Sequence, residues 1–175
     1  MTEREAPAEP AWTALLGLGS NMGDKAGNIA RAIALLTAPG DIWLVGASRL
    51  YRTAPWGVTD QDWFVNACIA VDTALSAHDL LARCLGVEQD MHRVREQRWG
   101  PRVIDVDVLV YRDVTLKNVT LDDADLVLPH PRITERGFVL VPLAELAPEL
   151  ELSGHTLAHW MSRIDTSDVV PLDAE

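Results

Sequence analysis

The sequence predicts an α+β fold: a ferredoxin-like βαββαβ core with a mainly antiparallel sheet, packed helices and a C-terminal helical extension. Extended and helical patterns follow in the order strand, helix, strand, strand, helix, strand, and glycine or proline turns separate them. The chain has 175 residues, which suits one compact domain. We expect this domain to span residues 11–165, between a disordered leader at 1–10 and a loose tail at 166–175.

The first strand is predicted at residues 12–18, where a short apolar run enters the glycine-rich turn at 17–23. A helix should follow, capped by Asn21 or Asp24, with Ile29, Ile33 and Leu36 as its apolar stripe. The glycines do not have the G-x-G-x-x-G spacing of a dinucleotide-binding turn. We therefore interpret them as a tight turn that lets the backbone approach a ligand.

Residues 42–51 and 64–73 predict the second and third strands, and Ser76 opens the second helix with capping-box character. The fourth strand is predicted to begin at residue 103. Beyond it we expect a loop and hairpin to residue 125, a helix at 139–146 and a last helix near His155 and His159. These histidines have no third ligand nearby, so we interpret them as exposed and not metal-binding.

The fourth strand carries the most informative chemistry. Its alternation places Ile104, Val106, Val108 and Val110 on one apolar face, with Asp105 and Asp107 together on the other. The Cα atoms of the two aspartates would be roughly 6.6 Å apart, close enough to share two divalent ions. Oxygen ligands favour Mg²⁺. The alternative is a solvated face whose carboxylates pair with arginines.

A basic cluster precedes this strand although the chain is acidic, with a formal net charge of −11 that argues against nucleic-acid binding. The cluster consists of Arg93, Arg95, Arg98 and Arg102. Guanidinium groups beside metal ligands are typical of a polyphosphate site, while the alternative is a solvated helix end. Glycine and proline around Trp99 predict a mobile lid at residues 97–101.

Cysteine usage and the N-terminus bear on location. Cys68 and Cys84 have no metal or redox spacing and lie in apolar runs, which indicates buried free thiols in a reducing compartment. Residues 1–10 lack the apolar segment of a signal peptide, and no stretch is long enough to span a membrane. We expect a cytoplasmic monomer that binds neither membrane nor nucleic acid.

Two polar residues interrupt otherwise apolar or rigid segments. Asn66 lies within the third strand, where its amide must have a partner if it is buried; it is either a satisfied core amide or a ligand contact. His130 lies between Pro129 and Pro131, which hold it in an extended loop. It is either a ligand contact or a surface histidine.

Six motifs occur in one order over roughly residues 14–150: Gly19-Ser20-Asn21, the run 51–57, Phe64-Val65-Asn66-Ala67, the run 98–102, Asp105-Val106-Asp107, and the run 128–132. With them the chain resembles the 6-hydroxymethyl-7,8-dihydropterin pyrophosphokinase family. The resemblance implies transfer of pyrophosphate from ATP to the pterin hydroxymethyl oxygen, leaving AMP, in folate biosynthesis. It also implies two Mg²⁺ ions, with ATP as co-substrate.

The resemblance assigns roles residue by residue and implies no dedicated general base. The catalytic residues would be Arg95, Arg102, Asp105 and Asp107, of which Asp105 and Asp107 would bind the metals. Nucleotide contacts would come from Glu88, Arg95, Trp99, Arg102, Val108, His130 and Arg136. The pterin would contact Thr53, Pro55, Trp56, Gly57, Phe64, Asn66 and Phe138, with its ring between the two phenylalanines.

The chain departs from the family pattern in places. Phe64 stands where many members have tyrosine, and the lid between Arg95 and Arg98 is one residue shorter than in some members. Nucleotide contacts from Asp125 and Val127 are left open. Two other functions remain as alternatives: an Asp-x-Asp metal-dependent glycosyltransferase, and a ferredoxin-like regulatory module that binds a small ligand.

Overall fold

The computed structural model describes residues 11–55, 57, 59–91 and 101–172. Its main sheet contains β1 (Ala14–Ser20), β2 (Ile42–Ala47), β3 (Tyr51–Thr53), β4 (Phe64–Thr73) and β5 (Asp105–Tyr111). Two short hairpins follow, β6 (Leu121–Asp122) with β7 (Val127–Leu128) and β8 (Glu151–Leu152) with β9 (His155–Thr156). The helices are α1 (Lys25–Thr37), α2 (Ala77–Asp90), α3 (Gly137–Leu146) and α4 (Leu157–Met161), and β10 is Val170–Pro171.

The strand order in the sheet is β10-β3-β4-β1-β5, with β2 also paired to β4, and every pairing is antiparallel. Strands β4, β1 and β5 with the β2 and β3 region reproduce the predicted ferredoxin-like arrangement. The α+β prediction is confirmed. Strand β1 lies between β4 and β5, so its residues have strand neighbours on both sides.

Local sequence explains the ends of the long helices. The Asp24 carboxylate accepts a hydrogen bond from the Gly27 N–H at 3.0 Å, and the Ser76 hydroxyl accepts one from Asp79 N–H at 3.1 Å. Asp24 is therefore the cap of α1, and Asn21 is free for the different role described below. α3 begins two residues before the expected residue 139.

The predicted strand 42–51 is divided into β2 and β3. Ser48 N–H donates to the Cys68 carbonyl, and the Ser48 hydroxyl accepts from Cys68 N–H, both at 2.9 Å. A side-chain oxygen thus replaces a main-chain acceptor, which interrupts the regular ladder. The register of β2 against β4 also shifts between Leu44 and Gly46.

Both faces of the sheet are covered by buried apolar clusters. The first lies under α1 and α2 and includes Leu16, Val106 and Val108; the second lies under α3 and α4 and includes Leu15 and Leu109. Val110 belongs to the second cluster, so its predicted place beside Val106 and Val108 is wrong. The register between β1 and β5 shifts between Leu15 and Leu16, and this bulge turns the end of β5 over.

Segment 166–172 does not match the expectation of a loose tail. Val170 and Pro171 pair with Arg52 and Tyr51 of β3, and Leu172 N–H donates to the Leu50 carbonyl at 2.9 Å. Proline is tolerated here because β10 is the outermost strand and needs no further donor.

The expected last helix is short and begins at Leu157, after His155. The His155 and His159 rings stack with centroids 4.0 Å apart. Among the described residues, no three histidine, cysteine or carboxylate side chains gather in a metal-binding group. In the same part of the chain, no helix combines the length and apolar character needed to cross a membrane.

Candidate active site

The two aspartates of β5 lie at one end of the sheet, opposite glycines of β1. Gly19 pairs with Asp105, and Gly17 pairs with Asp107. Both carboxylates are half-buried, while Val106 between them is buried on the other face. The sequence prediction of two neighbouring carboxylates on one side of a strand agrees with this arrangement.

The protein stabilises these carboxylates only in part. The pKa of Asp107 is raised to about 7, mainly by burial and also by the negative charges of Asp105 and Glu88, whereas Arg136 and Arg102 oppose the rise. The folded protein therefore favours the protonated form of Asp107 more than water does. A divalent cation would replace that proton and supply the missing positive charge, so these oxygen donors fit Mg²⁺.

Arg102 connects the carboxylates to the rest of the site. Its guanidinium donates from Nη1 to Asp105 Oδ2 at 2.9 Å, and its Cζ lies 5.5 Å from the centre of the Phe64 ring. Only 14% of its side chain is exposed. A guanidinium held between a carboxylate and an aromatic face keeps its positive charge next to the two aspartates.

Asn21 fixes the backbone of this arginine. Its Oδ1 accepts from Arg102 N–H at 2.9 Å, and its own N–H donates to the Arg102 carbonyl at 3.2 Å. Its Nδ2 donates to Gln61 Oε1 at 2.9 Å and to the Asp62 carbonyl at 3.2 Å. The sequence indicated Asn21 as a possible helix cap and as part of a motif. It did not indicate this contact with Arg102, because partners 40 and 81 residues away leave no local signal.

Glu88 and Val108 occupy structural positions. Glu88 is 4% exposed, and its Oε1 accepts from Val106 N–H at 2.9 Å, between the two aspartates. This bond ties α2 to the start of β5 and holds both carboxylates in place. Val108 is 3% exposed within the first cluster, which leaves its main chain as the part that a nucleotide could contact.

His130 is not a surface histidine. Its backbone N–H donates to the Leu109 carbonyl at 2.9 Å, and its Nδ1 accepts from Arg132 N–H at 3.1 Å. The proton is therefore on Nε2. Burial is the main cause that lowers the pKa of His130 to about 4; the Arg136 charge contributes in the same direction, and Asp105 opposes it. At neutral pH the ring is an uncharged hydrogen-bond donor.

Arg136 is the second described cation at the carboxylates. Burial lowers the pKa of its guanidinium, while the charges of Asp107 and Asp105 raise it. Its Cζ lies 5.6 Å from the centre of the Phe138 ring. Arg136 and Arg102 therefore have matching surroundings, each near the aspartates and each close to one of the two phenylalanines.

Asn66 lies on the other side of Gly19. It is 8% exposed, and its Nδ2 donates to the Thr53 hydroxyl at 2.7 Å, so the amide is partly satisfied inside the protein. A Cβ at Gly19 would lie 2.5 Å from Asn66 Oδ1, well inside contact distance. Residue 19 must be glycine for the amide to lie there.

The two phenylalanines differ in exposure. Phe64 begins β4 and is 7% exposed, whereas Phe138 is half-buried in the first turn of α3. Pro55 and Phe138 line a cavity of about 270 Å³. Gly57 has a φ of +86°, a conformation that glycine adopts without strain.

A polar network that sequence reasoning missed joins the elements around this cavity. Glu145 of α3 accepts a short hydrogen bond from the Tyr51 hydroxyl and a 2.7 Å bond from Arg49 Nε. Tyr51 is 2% exposed and lies two residues before Thr53. These bonds hold α3 against β3, and no local pattern marks Glu145 as their acceptor.

Several expected site residues lie outside the described residues: Trp56, Arg93, Arg95, Arg98 and Trp99. The lid expectation for 97–101 falls almost wholly on that part of the chain. Of the four clustered arginines, the structure describes Arg102. Asp125 is exposed beside the β6–β7 hairpin, where Val127 pairs with Asp122.

The chain is similar to known proteins over most of its length. Residues 15–148 match the family model described as 7,8-dihydro-6-hydroxymethylpterin-pyrophosphokinase. A 2-amino-4-hydroxy-6-hydroxymethyldihydropteridine pyrophosphokinase from Methylorubrum extorquens is 52% identical over 89% of this chain and 96% of its own length. The enzyme of the same name from Synechocystis is 37% identical over 91% of this chain and 80% of its own.

Longer proteins also match. The mitochondrial folate synthesis bifunctional protein of Pisum sativum is 39% identical over 85% of this chain, which spans 27% of that protein. A crystal structure described as HPPK-DHPS in complex with substrates superposes with a TM-score of 0.66 at 14% identity. It covers 88% of this chain, which spans 43% of that structure's chain. At this identity the likeness shows the fold.

We predict that Asp107→Asn stabilises the metal-free protein in a pH-dependent way. The pKa of Asp107 is about 7 in the fold against 3.8 as its ordinary value, so the folded state binds the extra proton. Wild-type stability should therefore fall as pH rises from about 4 to about 7, and asparagine removes that loss.

Urea unfolding in EDTA should show the variant more stable by about 1–3 kcal/mol at pH 8 and nearly equal to wild type at pH 4. Asp60→Asn, at an exposed carboxylate, is the control and should show no such trend. An equal difference between wild type and Asp107→Asn at both pH values would contradict the prediction.

Proposed function

Since this chain belongs to the 7,8-dihydro-6-hydroxymethylpterin-pyrophosphokinase family, we propose that the residues around Gly19 form its active site. The protein is an ATP-dependent pyrophosphokinase. It transfers pyrophosphate from ATP to hydroxymethyldihydropterin in folate synthesis. The glycosyltransferase and regulatory-module alternatives are not favoured by these relatives.

One observation carries the proposed site. Gly19 pairs with Asn66 on one side and with Asp105 on the other, so an amide and a carboxylate flank the same residue. An amide suits a flat heterocycle with donors and acceptors, whereas carboxylates and arginines suit a metal-bound polyphosphate. The pterin and the triphosphate would therefore meet over Gly19.

On the metal side, Asp105 and Asp107 would hold two Mg²⁺ ions. Their support is the half-buried position of both carboxylates and the raised pKa of Asp107. Mg²⁺ bound there would neutralise phosphate oxygens and favour in-line attack on the β-phosphorus. Glu88 acts through its bond to Val106 N–H, which fixes the strand that carries both ligands.

The nucleotide would be held by side chains on the same side. Arg102 and Arg136 place positive charge beside the aspartates and would stabilise the charge that develops during transfer. His130 is uncharged with its proton on Nε2, so it would donate to a phosphate oxygen. Arg95, Trp99 and the main chain of Val108 complete the proposed nucleotide contacts.

The pterin would occupy the other side. Asn66 and the Thr53 hydroxyl would form hydrogen bonds with its polar edge, while Phe64 and Phe138 would stack on its faces. Backbone groups of Pro55 and Gly57 would complete the contacts, together with Trp56. The described side chains supply positioning and charge neutralisation, and we assign no general base.

Location and assembly are also proposals. Cys68 and Cys84 are buried and unpaired with one another, and burial raises the pKa of both thiols. Free buried thiols suit a reducing compartment, so we propose a cytoplasmic location. Separately, we propose that the protein is a monomer. The plant relative is named as mitochondrial, so this proposal concerns the present chain alone.

We predict that Asp105→Asn and Asp107→Asn each abolish turnover with the fold retained, because shape is kept while charge at the metals is lost. The assay is AMP release from ATP with Mg²⁺, which should require hydroxymethyldihydropterin. Circular dichroism checks the fold, and exposed Asp60→Asn is the control. Wild-type-like turnover of either site variant at ordinary Mg²⁺ would overturn the metal assignment.

We also predict that Asn66→Ala weakens pterin binding by about 1–3 kcal/mol, because buried polar groups of the ligand lose their partner. Phe138→Ala should weaken it through lost stacking area. Calorimetry with pterin and with an ATP analogue alone separates the two ligands: nucleotide affinity should barely change. Normal pterin binding by Asn66→Ala would make Asn66 a core amide and move the pterin site elsewhere.

A further inference from the structure

We infer that the C-terminal segment 164–172 positions the pterin side of the active site. The inference rests on the pterin site proposed above. The family match ends at residue 148, so this segment lies beyond the matched region. It runs past β3 and α3, the two elements that border the proposed pterin site, and is joined to them by strand pairing and by side-chain packing.

The segment is anchored on both faces of the sheet. Ile164 packs against the second cluster, under α3, and Leu172 packs against the first cluster, on the α1 and α2 side. Between them, Val170 and Pro171 pair with β3. The chain thus wraps around the edge of the sheet and adds main-chain bonds to the strand that ends at Thr53.

The same segment packs on the start of α3. A Cβ at Gly137 would lie 3.3 Å from Thr166 Cγ2 and 3.4 Å from Val169 Cγ2, so both methyl groups lie close to the helix backbone. Gly137 directly precedes Phe138. The tail therefore contacts the backbone from which one proposed stacking ring projects.

The cavity beside the pterin site has one wall from this segment. Pro55 and Phe138 line it from the pterin side, and Ile164, Asp165 and Asp168 line it from the tail. A shift of the tail would change the space next to the ring and the proline loop without touching the aspartates of β5.

Two separate contacts then fix the distance between β3 and α3. The Glu145 bonds to Tyr51 and Arg49 act near the C-terminal end of α3, and the tail acts at its first turn, near Phe138. Loss of the tail contacts leaves the first turn held less firmly. The expected consequence is weaker pterin binding with nucleotide binding retained.

The test uses full-length variants that alter each end of the segment. Thr166→Ser with Val169→Ala removes the two methyl groups beside Gly137, and Leu172→Ala removes the anchor on the first cluster. Val170→Ala, which shortens an exposed side chain of the same segment and keeps its main-chain pairing with β3, is the matched control. Circular dichroism and thermal unfolding show whether each variant is folded.

Pterin affinity is measured by calorimetry with saturating Mg²⁺ and a non-hydrolysable ATP analogue, and KM and kcat are measured for both substrates. We expect pterin Kd and KM to rise about 3- to 10-fold in both tail variants, the Thr166→Ser, Val169→Ala protein and Leu172→Ala. Nucleotide Kd and kcat should stay within about twofold of wild type, as should every value for Val170→Ala.

Wild-type pterin affinity in the Thr166→Ser, Val169→Ala variant would overturn the inference. If Leu172→Ala does not fold, the result for the double variant alone is decisive. Equal weakening of pterin and nucleotide would also overturn it, since that result indicates a general role in folding. Asn66→Ala, measured alongside, tests the pterin site itself. Normal pterin binding by Asn66→Ala overturns the site, whereas weak binding there with normal tail variants overturns only the tail's role.

Discussion

The absence of a side chain at residue 19 is the constraint on which the proposed active site depends. Gly19 lies on β1, an inner strand of the sheet, with Asn66 on one side and Asp105 on the other, and an added Cβ would lie 2.5 Å from the Asn66 amide oxygen. Any larger residue would displace the amide or separate the strands. Because glycine is present, the amide and the carboxylates can share one end of the sheet.

The other contacts of the site preserve this closeness. Asn21 binds the backbone of Arg102 on both sides, and Arg102 in turn binds Asp105. Glu88 holds β5 through Val106 N–H, at the cost of placing another negative charge near Asp107. This crowding of carboxylates makes the metal-free site unfavourable at neutral pH, and the same crowding suits it to a divalent cation. We therefore expect the metal-free protein to lose some stability for an arrangement that suits a cation.

Periodicity and turn chemistry were enough to predict the α+β fold and the carboxylate pair, because both depend on residues close in sequence. The bulge that moves Val110 to the second cluster depends on how β1 and β5 fit together, and no pattern within β5 encodes it. The bonds of Asn21 and Glu145 join residues far apart in the chain, so residue type alone did not reveal them. Segment 166–172 resembled a tail because its partner strand is more than 100 residues earlier.

The most direct test of this account is the pterin affinity of Gly19→Ala beside Gly17→Ala, measured with Mg²⁺ and a non-hydrolysable ATP analogue. Gly17 lies two residues away on the same strand, and its added Cβ would lie 3.3 Å from the nearest atom of the Leu109 side chain, the tighter edge of ordinary contact, and away from the Asn66 amide. We predict that Gly19→Ala weakens pterin binding about tenfold or more, while the pterin affinity of Gly17→Ala stays within about twofold of wild type. Equal pterin affinities for the two variants would contradict the claim that the space at residue 19 forms the site.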